Sequence, residues 1–261
     1  MEQIEKAMAR ARESRAGNLK HFRPANSPGG RSSANGVAPA YTETIVAPLD
    51  ARRMNEERLV ADALGHPVSD TYSLLRTQVL QRLRANNMNS LAVTSPESGA
   101  GVTTTAANLA LAIALDVNQT VLLVDLNLRD PGIAQKFRIT PPAGIDDYLH
   151  GDAELKDCFV SPGVPRLVVL GARIPNGEAA EVLSSPRMAA LARELRSRYH
   201  DRIIIYDLPP LIPSGDTLGF LPNVEAVLLV ARSGKTTKSE LEKSARLLGQ
   251  KPVVGTLLNA H

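Results

Sequence analysis

Residues 91–108 read LAVTSPESGAGVTTTAAN, and the reading of this stretch decides the fold. Its apolar opening, Leu91-Ala92-Val93-Thr94, predicts a buried strand. Ser95 to Val102 is a loop of small residues with glycines at Gly99 and Gly101, and Thr103-Thr104-Thr105 opens an alanine-rich helix reaching about Leu115. Strand, glycine-rich loop and helix start in that order make a cradle for phosphate. Loop N–H groups and the positive end of the helix dipole both face the anion.

One position departs from this pattern. A phosphate loop carries a lysine before its Ser or Thr, and here that place is taken by Val102. The loop glycines, the helix start and the Thr103 hydroxyl remain, but the ammonium is missing. The Gly-Lys-Thr that this loop lacks occurs in Ser233-Gly234-Lys235-Thr236-Thr237. There the motif's leading glycine would fall at Leu229, inside an apolar strand. That segment reads as a strand-to-helix turn near the rim of the site.

Around the loop, apolar strands alternate with helices. Strands are predicted at 90–95, 120–125, 166–170, 202–207, 226–231 and 253–258, and helices at 71–84, 104–115, 186–199 and 238–248. This order predicts an α/β fold: a mostly parallel sheet with helices on both faces. Hydrophobic residues make up 43% of the chain and aromatics only 3%, so the core must be aliphatic, as such a sheet requires. Two strands end in aspartate, Val121-Leu122-Leu123-Val124 in Asp125 and Ile203-Ile204-Ile205-Tyr206 in Asp207. Ligands of parallel sheets sit beyond these strand ends. A single such aspartate is often mere strand termination. Two beside a phosphate loop predict a magnesium site built from Thr103, Asp125, Asp207, phosphate oxygens and water.

The amino-terminal part has a different character. Residues 1–16 are charged and alanine-rich and predict a helix; 17–65 predict a flexible extension, with an extended arm at 41–48 and a helical turn within 50–62; 66–261 form the phosphate-binding domain. Net charge is +3, with +4 in residues 1–31, −1 in 32–60 and none in the remainder. The basic bias therefore belongs to the tail, and no nucleic-acid partner is expected for the core. The lone Cys158 excludes a disulfide framework, and the five histidines lack metal-ligand spacing. With no signal-peptide pattern and no apolar run of membrane-spanning length, the expected location is the cytoplasm.

These residues resemble a known family, the bacterial tyrosine kinases of capsule and exopolysaccharide synthesis. The chain is most similar to their stand-alone cytoplasmic type found beside exosortase-type loci. The likeness runs through MEQIEKAMARARESR, YTETIVAPLD, TYSLLRTQVLQRLR, LAVTSPESGAGVTTTAANLA, VLLVDLNLRDP, IPNGEAAEVLSSPRM, DRIIIYDLPPL and VVGTLLN. It implies a P-loop NTPase fold related to partitioning and septum-site ATPases, MgATP as ligand, and tyrosine autophosphorylation in active members. It implies a membrane-embedded polysaccharide co-polymerase (chain-length determinant) as partner, which would place the protein at the inner membrane periphery, and homo-oligomers. Carried over by position, Ser98, Gly99, Ala100, Gly101, Val102, Thr103 and Thr104 form the phosphate loop. Thr103, Asp125 and Asp207 serve magnesium, and the two aspartates are catalytic. Arg129 and Asn259 belong to the nucleotide site, Asn259 on the adenine side.

The departures from the family pattern point one way. Val102 replaces the loop lysine, and Asn127 replaces the second aspartate of Asp-x-Asp-x-Arg. The oligomerisation helix, usually Glu-x-x-Arg-x-x-Arg, reads Asp70, Ser73 and Arg76. No tyrosine-rich tail is expected beyond Asn259-Ala260-His261, and the five tyrosines are dispersed. The expectation is a degenerate member that binds nucleotide weakly and acts as a regulatory or assembly partner. One alternative is an active kinase whose missing charge comes from Arg129, Lys136, Lys235 or a neighbouring subunit. Another is a partitioning-type ATPase acting on DNA or membrane, though Ser95-Pro96-Glu97 lacks the early lysine such enzymes use.

Overall fold

The computed structural model describes residues 45–46, 54, 56–60, 67–198, 202–213 and 215–260. The helix expected at 1–16 and most of the extension at 17–65 lie outside the described residues. Eight strands form one sheet: β1 (Ile45–Val46), β2 (Ser90–Thr94), β3 (Thr120–Asp125), β4 (Phe159–Ser161), β5 (Leu167–Leu170), β6 (Arg202–Asp207), β7 (Ala226–Arg232) and β8 (Val253–Asn259). Their order is β1-β4-β5-β3-β6-β2-β7-β8. Every pairing is parallel except β4 with β5.

Both faces of the sheet are buried, and the period of two sorts each strand between two cores. Leu91, Val93, Val121, Leu123, Ile203, Ile205, Ala226, Leu228 and Val230 face one cluster. Ala92, Leu122, Val124, Ile204, Tyr206, Val227 and Leu229 face the other. Helices α1 (Pro67–Ala85) and α2 (Val102–Ala114) cover the first face. Short helices α3 (Ile133–Phe137), α4 (Ile145–His150) and α5 (Ala179–Leu183) follow in the chain. Helix α6 (Pro186–Arg198) covers the second face with Met188, Leu191, Ala192 and Leu195. Helices α7 (Asp216–Phe220) and α8 (Lys238–Leu248) follow β6 and β7.

The six strands predicted from the sequence are present. The short helices α3, α4, α5 and α7 and strand β4 were not predicted, because segments of three to six residues carry too little periodicity. The folded part also reaches back before residue 66. Strand β1, within the expected extended arm, pairs Ile45 with Val160. Leu59 and Val60 are buried, and Asn108 of α2 holds that segment by accepting from Val60 N at 2.7 Å and donating to Arg58 O at 2.8 Å. Arg76 of α1 donates to Ala112 O at 3.1 Å, so this residue of the reduced oligomerisation motif ties α1 to α2. No helix among the described residues is long and apolar enough to cross a membrane.

Candidate nucleotide site

The loop from β2 to α2 emerges from a strand flanked by β6 and β7. Gly99 and Gly101 adopt positive φ, 77° and 88°, and Gly101 caps α2 in the left-handed conformation. No side chain caps this helix start, so its first N–H groups are left for a ligand. Gly101 is required for a second reason: a β-carbon there would collide with Asn259 Nδ2. We therefore expect Gly101→Ala to cost about 2 kcal/mol, from left-handed strain plus that clash. A thermal melt should show a drop of several degrees, partly recovered by adding Asn259→Ala, which removes the clash but not the strain.

On one side of the loop stand the acidic residues. Asp125 and Asp207 are register partners on neighbouring parallel strands. Both continue the alternation of the face covered by α2, so their carboxylates lie on the loop's side of the sheet. Gly132 links them to Thr103: its N–H donates to Asp125 Oδ2 at 3.0 Å, and a β-carbon on it would lie 3.2 Å from Thr103 Cγ2. Asp125 also accepts from Ile133 N at 2.9 Å and Asn127 N at 3.1 Å. Thr103, Asp125 and Asp207 thus converge on one place.

The aspartates are fully buried. Burial pushes the Asp125 carboxyl up to about 7 despite the three amides, and Asp130 adds a smaller push. Burial raises Asp207 well above the carboxylate range, the neighbouring Asp125 adds to this, and the Thr103 hydroxyl opposes it. Neither Asp207 oxygen has a hydrogen bond of ordinary geometry among the described residues. The Thr103 hydroxyl is therefore a near neighbour of Asp207 rather than a well-made donor to it. An orphaned, buried carboxylate next to a second one fits a divalent cation. Among the described residues no group of three or more His, Cys, Asp or Glu is placed to hold a metal ion by itself. A cation here would take remaining ligands from phosphate and water, the habit of magnesium.

The other expected residues fall differently. Arg129 pairs with Asp216 at 2.6 and 3.1 Å and donates to Gly177 O at 3.0 Å; the structure brings it to α7 rather than to the phosphate loop. Asn127 donates its side chain to Asp130 O at 2.9 Å, closing the turn after β3. Asn259 donates to Ala100 O at 2.9 Å and so pins the loop itself. Val102 packs against the core. Ser98 and Gly99 are exposed on the loop's outer turn, while Ala100 is buried. The turn after β7, read as rim, is bonded to the loop: Thr236 Oγ1 donates to Glu97 Oε1 and accepts from Arg232 N. Arg232 escaped the sequence reading. The missed signal was its position two residues past Val230, on the same face as both aspartates.

No family model matches the chain. The tyrosine-protein kinase YwqD of Bacillus subtilis is 31% identical over 194 residues, covering 73% of this chain and 80% of YwqD. The chain belongs to the bacterial tyrosine-protein kinase family. The succinoglycan biosynthesis transport protein ExoP of Rhizobium meliloti is 28% identical over 86% of this chain, which spans 28% of ExoP's length. Among solved structures, the kinase domain of the Escherichia coli tyrosine kinase ETK superposes with a TM-score of 0.72 at 25% identity, over 83% of this chain and 89% of that one. The Mg-ADP complex of the septum site-determining protein MinD from Pyrococcus horikoshii, at TM-score 0.57 and 21% identity over 66% of this chain and 70% of that one, shares the P-loop fold. In this tyrosine-kinase family member, the loop and two aspartates therefore stand in a P-loop NTPase frame.

Family membership makes the tyrosines relevant. Tyr72 and Tyr206 are buried, and burial raises both phenols. Tyr206 stacks edge-on to Phe220 at 4.8 Å between centroids. Tyr148 is half-buried, with the Arg187 guanidinium 5.1 Å above its ring. Tyr41 and Tyr199 lie outside the described residues.

Proposed function

We propose that this protein is a nucleotide-binding, kinase-like component of exopolysaccharide biosynthesis in which phosphoryl transfer is impaired. The observation that carries this reading is Val102, packed on the core where the loop would place its lysine, in a site whose other parts converge. Loop amides and the start of α2 would hold the phosphates of MgATP. Thr103, Asp125 and Asp207 would hold magnesium, which supplies charge neutralisation on the phosphate oxygens. Asp125, oriented by three amides and titrating near neutrality, is suited to accept a proton from an attacking hydroxyl. Losing a charged donor to the outer phosphates costs about 1.5–3 kcal/mol of binding and about 100- to 1000-fold in rate. Asn127 in place of an aspartate and the burial of Tyr72 and Tyr206 point the same way.

The likeness to ExoP, a transport protein of succinoglycan synthesis, supports a role beside a polysaccharide export system. A membrane-embedded co-polymerase would supply the membrane contact, and this chain would regulate or assemble it. Calorimetric titration of the full chain with MgATP, paired with a phosphotyrosine assay, tests the reading. Weak binding with background phosphorylation is expected. No binding, or robust autophosphorylation abolished by Asp125→Ala, would overturn it. The second reading is an active kinase in which another cation takes the place of the missing lysine.

A further inference from the structure

Three cations suggested by the sequence are poor substitutes for the missing lysine. Arg129 is held by Asp216. Lys136 donates to Glu57 O at 3.2 Å and lies 3.9 Å from its carboxylate. Lys235 is exposed on the turn after β7. Arg232, the last residue of β7, is differently placed. It is half-buried, on the sheet face of Asp125, Asp207 and α2, and its Nη1 lies 3.8 Å from where a β-carbon on Gly99 would sit. Gly99 has no side chain to stand between guanidinium and loop backbone. The Arg232 guanidinium makes no hydrogen bond or ion pair among the described residues.

The surrounding bonds fix this approach. Thr236 latches the β7 turn to Glu97 at the loop's start. Arg232 and Asn259 are register partners, and Asn259 holds Ala100 at the loop's far end. Ser233 N donates to Asn259 O at 2.7 Å. Two neighbouring strand ends are thus bonded to the phosphate loop on either side of Gly99, with an unpaired guanidinium between them.

We propose that Arg232 supplies the positive charge to a nucleotide's phosphates that Val102 cannot. This rests on the nucleotide-binding reading and names the group that keeps binding alive. A guanidinium is charged at every relevant pH and can pair bidentately with phosphate oxygens. Reaching the loop from β7 rather than from the first turn of α2, it sustains affinity more than rate.

The test is calorimetry on the full chain with MgATP, MgADP and AMP. Arg232→Ala should raise the Kd for MgATP about tenfold or more and leave AMP within about twofold. Its latch uses only the backbone N–H, so the turn is kept; Arg232→Gln retains length without charge and guards against misfolding. Adding Val102→Lys to Arg232→Ala should restore MgATP affinity. An unchanged MgATP Kd in both neutral variants overturns the assignment while leaving the nucleotide reading intact, as does an equal loss for AMP, which would mark a structural role. Absence of nucleotide binding by the unmodified protein overturns the nucleotide reading, and this proposal with it.

Discussion

Val102→Lys should raise phosphoryl-transfer turnover about 100- to 1000-fold, the size of effect seen when a preorganised donor is restored to a transition state. Position 102 is the first residue of α2, behind Gly101, so a lysine there can extend over the loop toward the outer phosphates without any change in backbone. The substitution gives up part of a packing contact, since Val102 sits against the core. It also places a cation at a helix N-terminus, a cost of about 0.3–1 kcal/mol without ligand. The nucleotide-free protein should therefore melt slightly lower while the nucleotide-bound protein melts higher. Steady-state ATP turnover and phosphotyrosine formation in both proteins measure the effect. Unchanged turnover would mean that the native site already has its transition-state charge, and the impaired reading would fail.

Asp207→Asn should raise the melting point of the metal-free protein at alkaline pH while abolishing stabilisation by magnesium and nucleotide. The sign follows from burial. Both carboxyls have folded-state pKa values above the unfolded value of 3.8, Asp125 at about 7. Between those limits the native state holds more protons than the unfolded chain, so metal-free stability falls as pH rises from about 4 through 7. Ionising Asp207 as well, at higher pH, places a second negative charge in a buried site with no hydrogen-bond donor for it among the described residues. The asparagine removes that charge, flattening the decline. A cation does the same by neutralising the pair, so the unmodified protein should melt higher with magnesium at pH 8 and respond little at pH 5. Thermal melts across pH, with and without magnesium and nucleotide, separate these cases. A melting point lower in Asp207→Asn than in the unmodified metal-free protein at pH 8 would refute the account.

Much of this arrangement is legible in the sequence. Long apolar strands such as Val121-Leu122-Leu123-Val124 and Ile203-Ile204-Ile205-Tyr206 announce themselves, because both their faces are buried and nothing polar interrupts them. The residues after them are constrained by the sheet, so a carboxylate at each strand end could be placed next to the loop. Short helices had no comparable signal. The partner of Arg129 had no signal either, because a motif gives the spacing along the chain but not the contact across it; that partner, Asp216, is 87 residues away.

The sequence alone determined the glycine-rich loop between strand and helix, the valine at position 102 and the two strand-ending carboxylates, since each depends on neighbours within a few residues and on the alternation of a buried strand. The tertiary structure alone decided which strands are adjacent. The order β3-β6-β2-β7-β8 sets both aspartates on one side of the loop and Arg232 and Asn259 on the other. That order is fixed by helix packing on two faces of the sheet, contacts between segments far apart in the chain, which no local pattern of residues encodes.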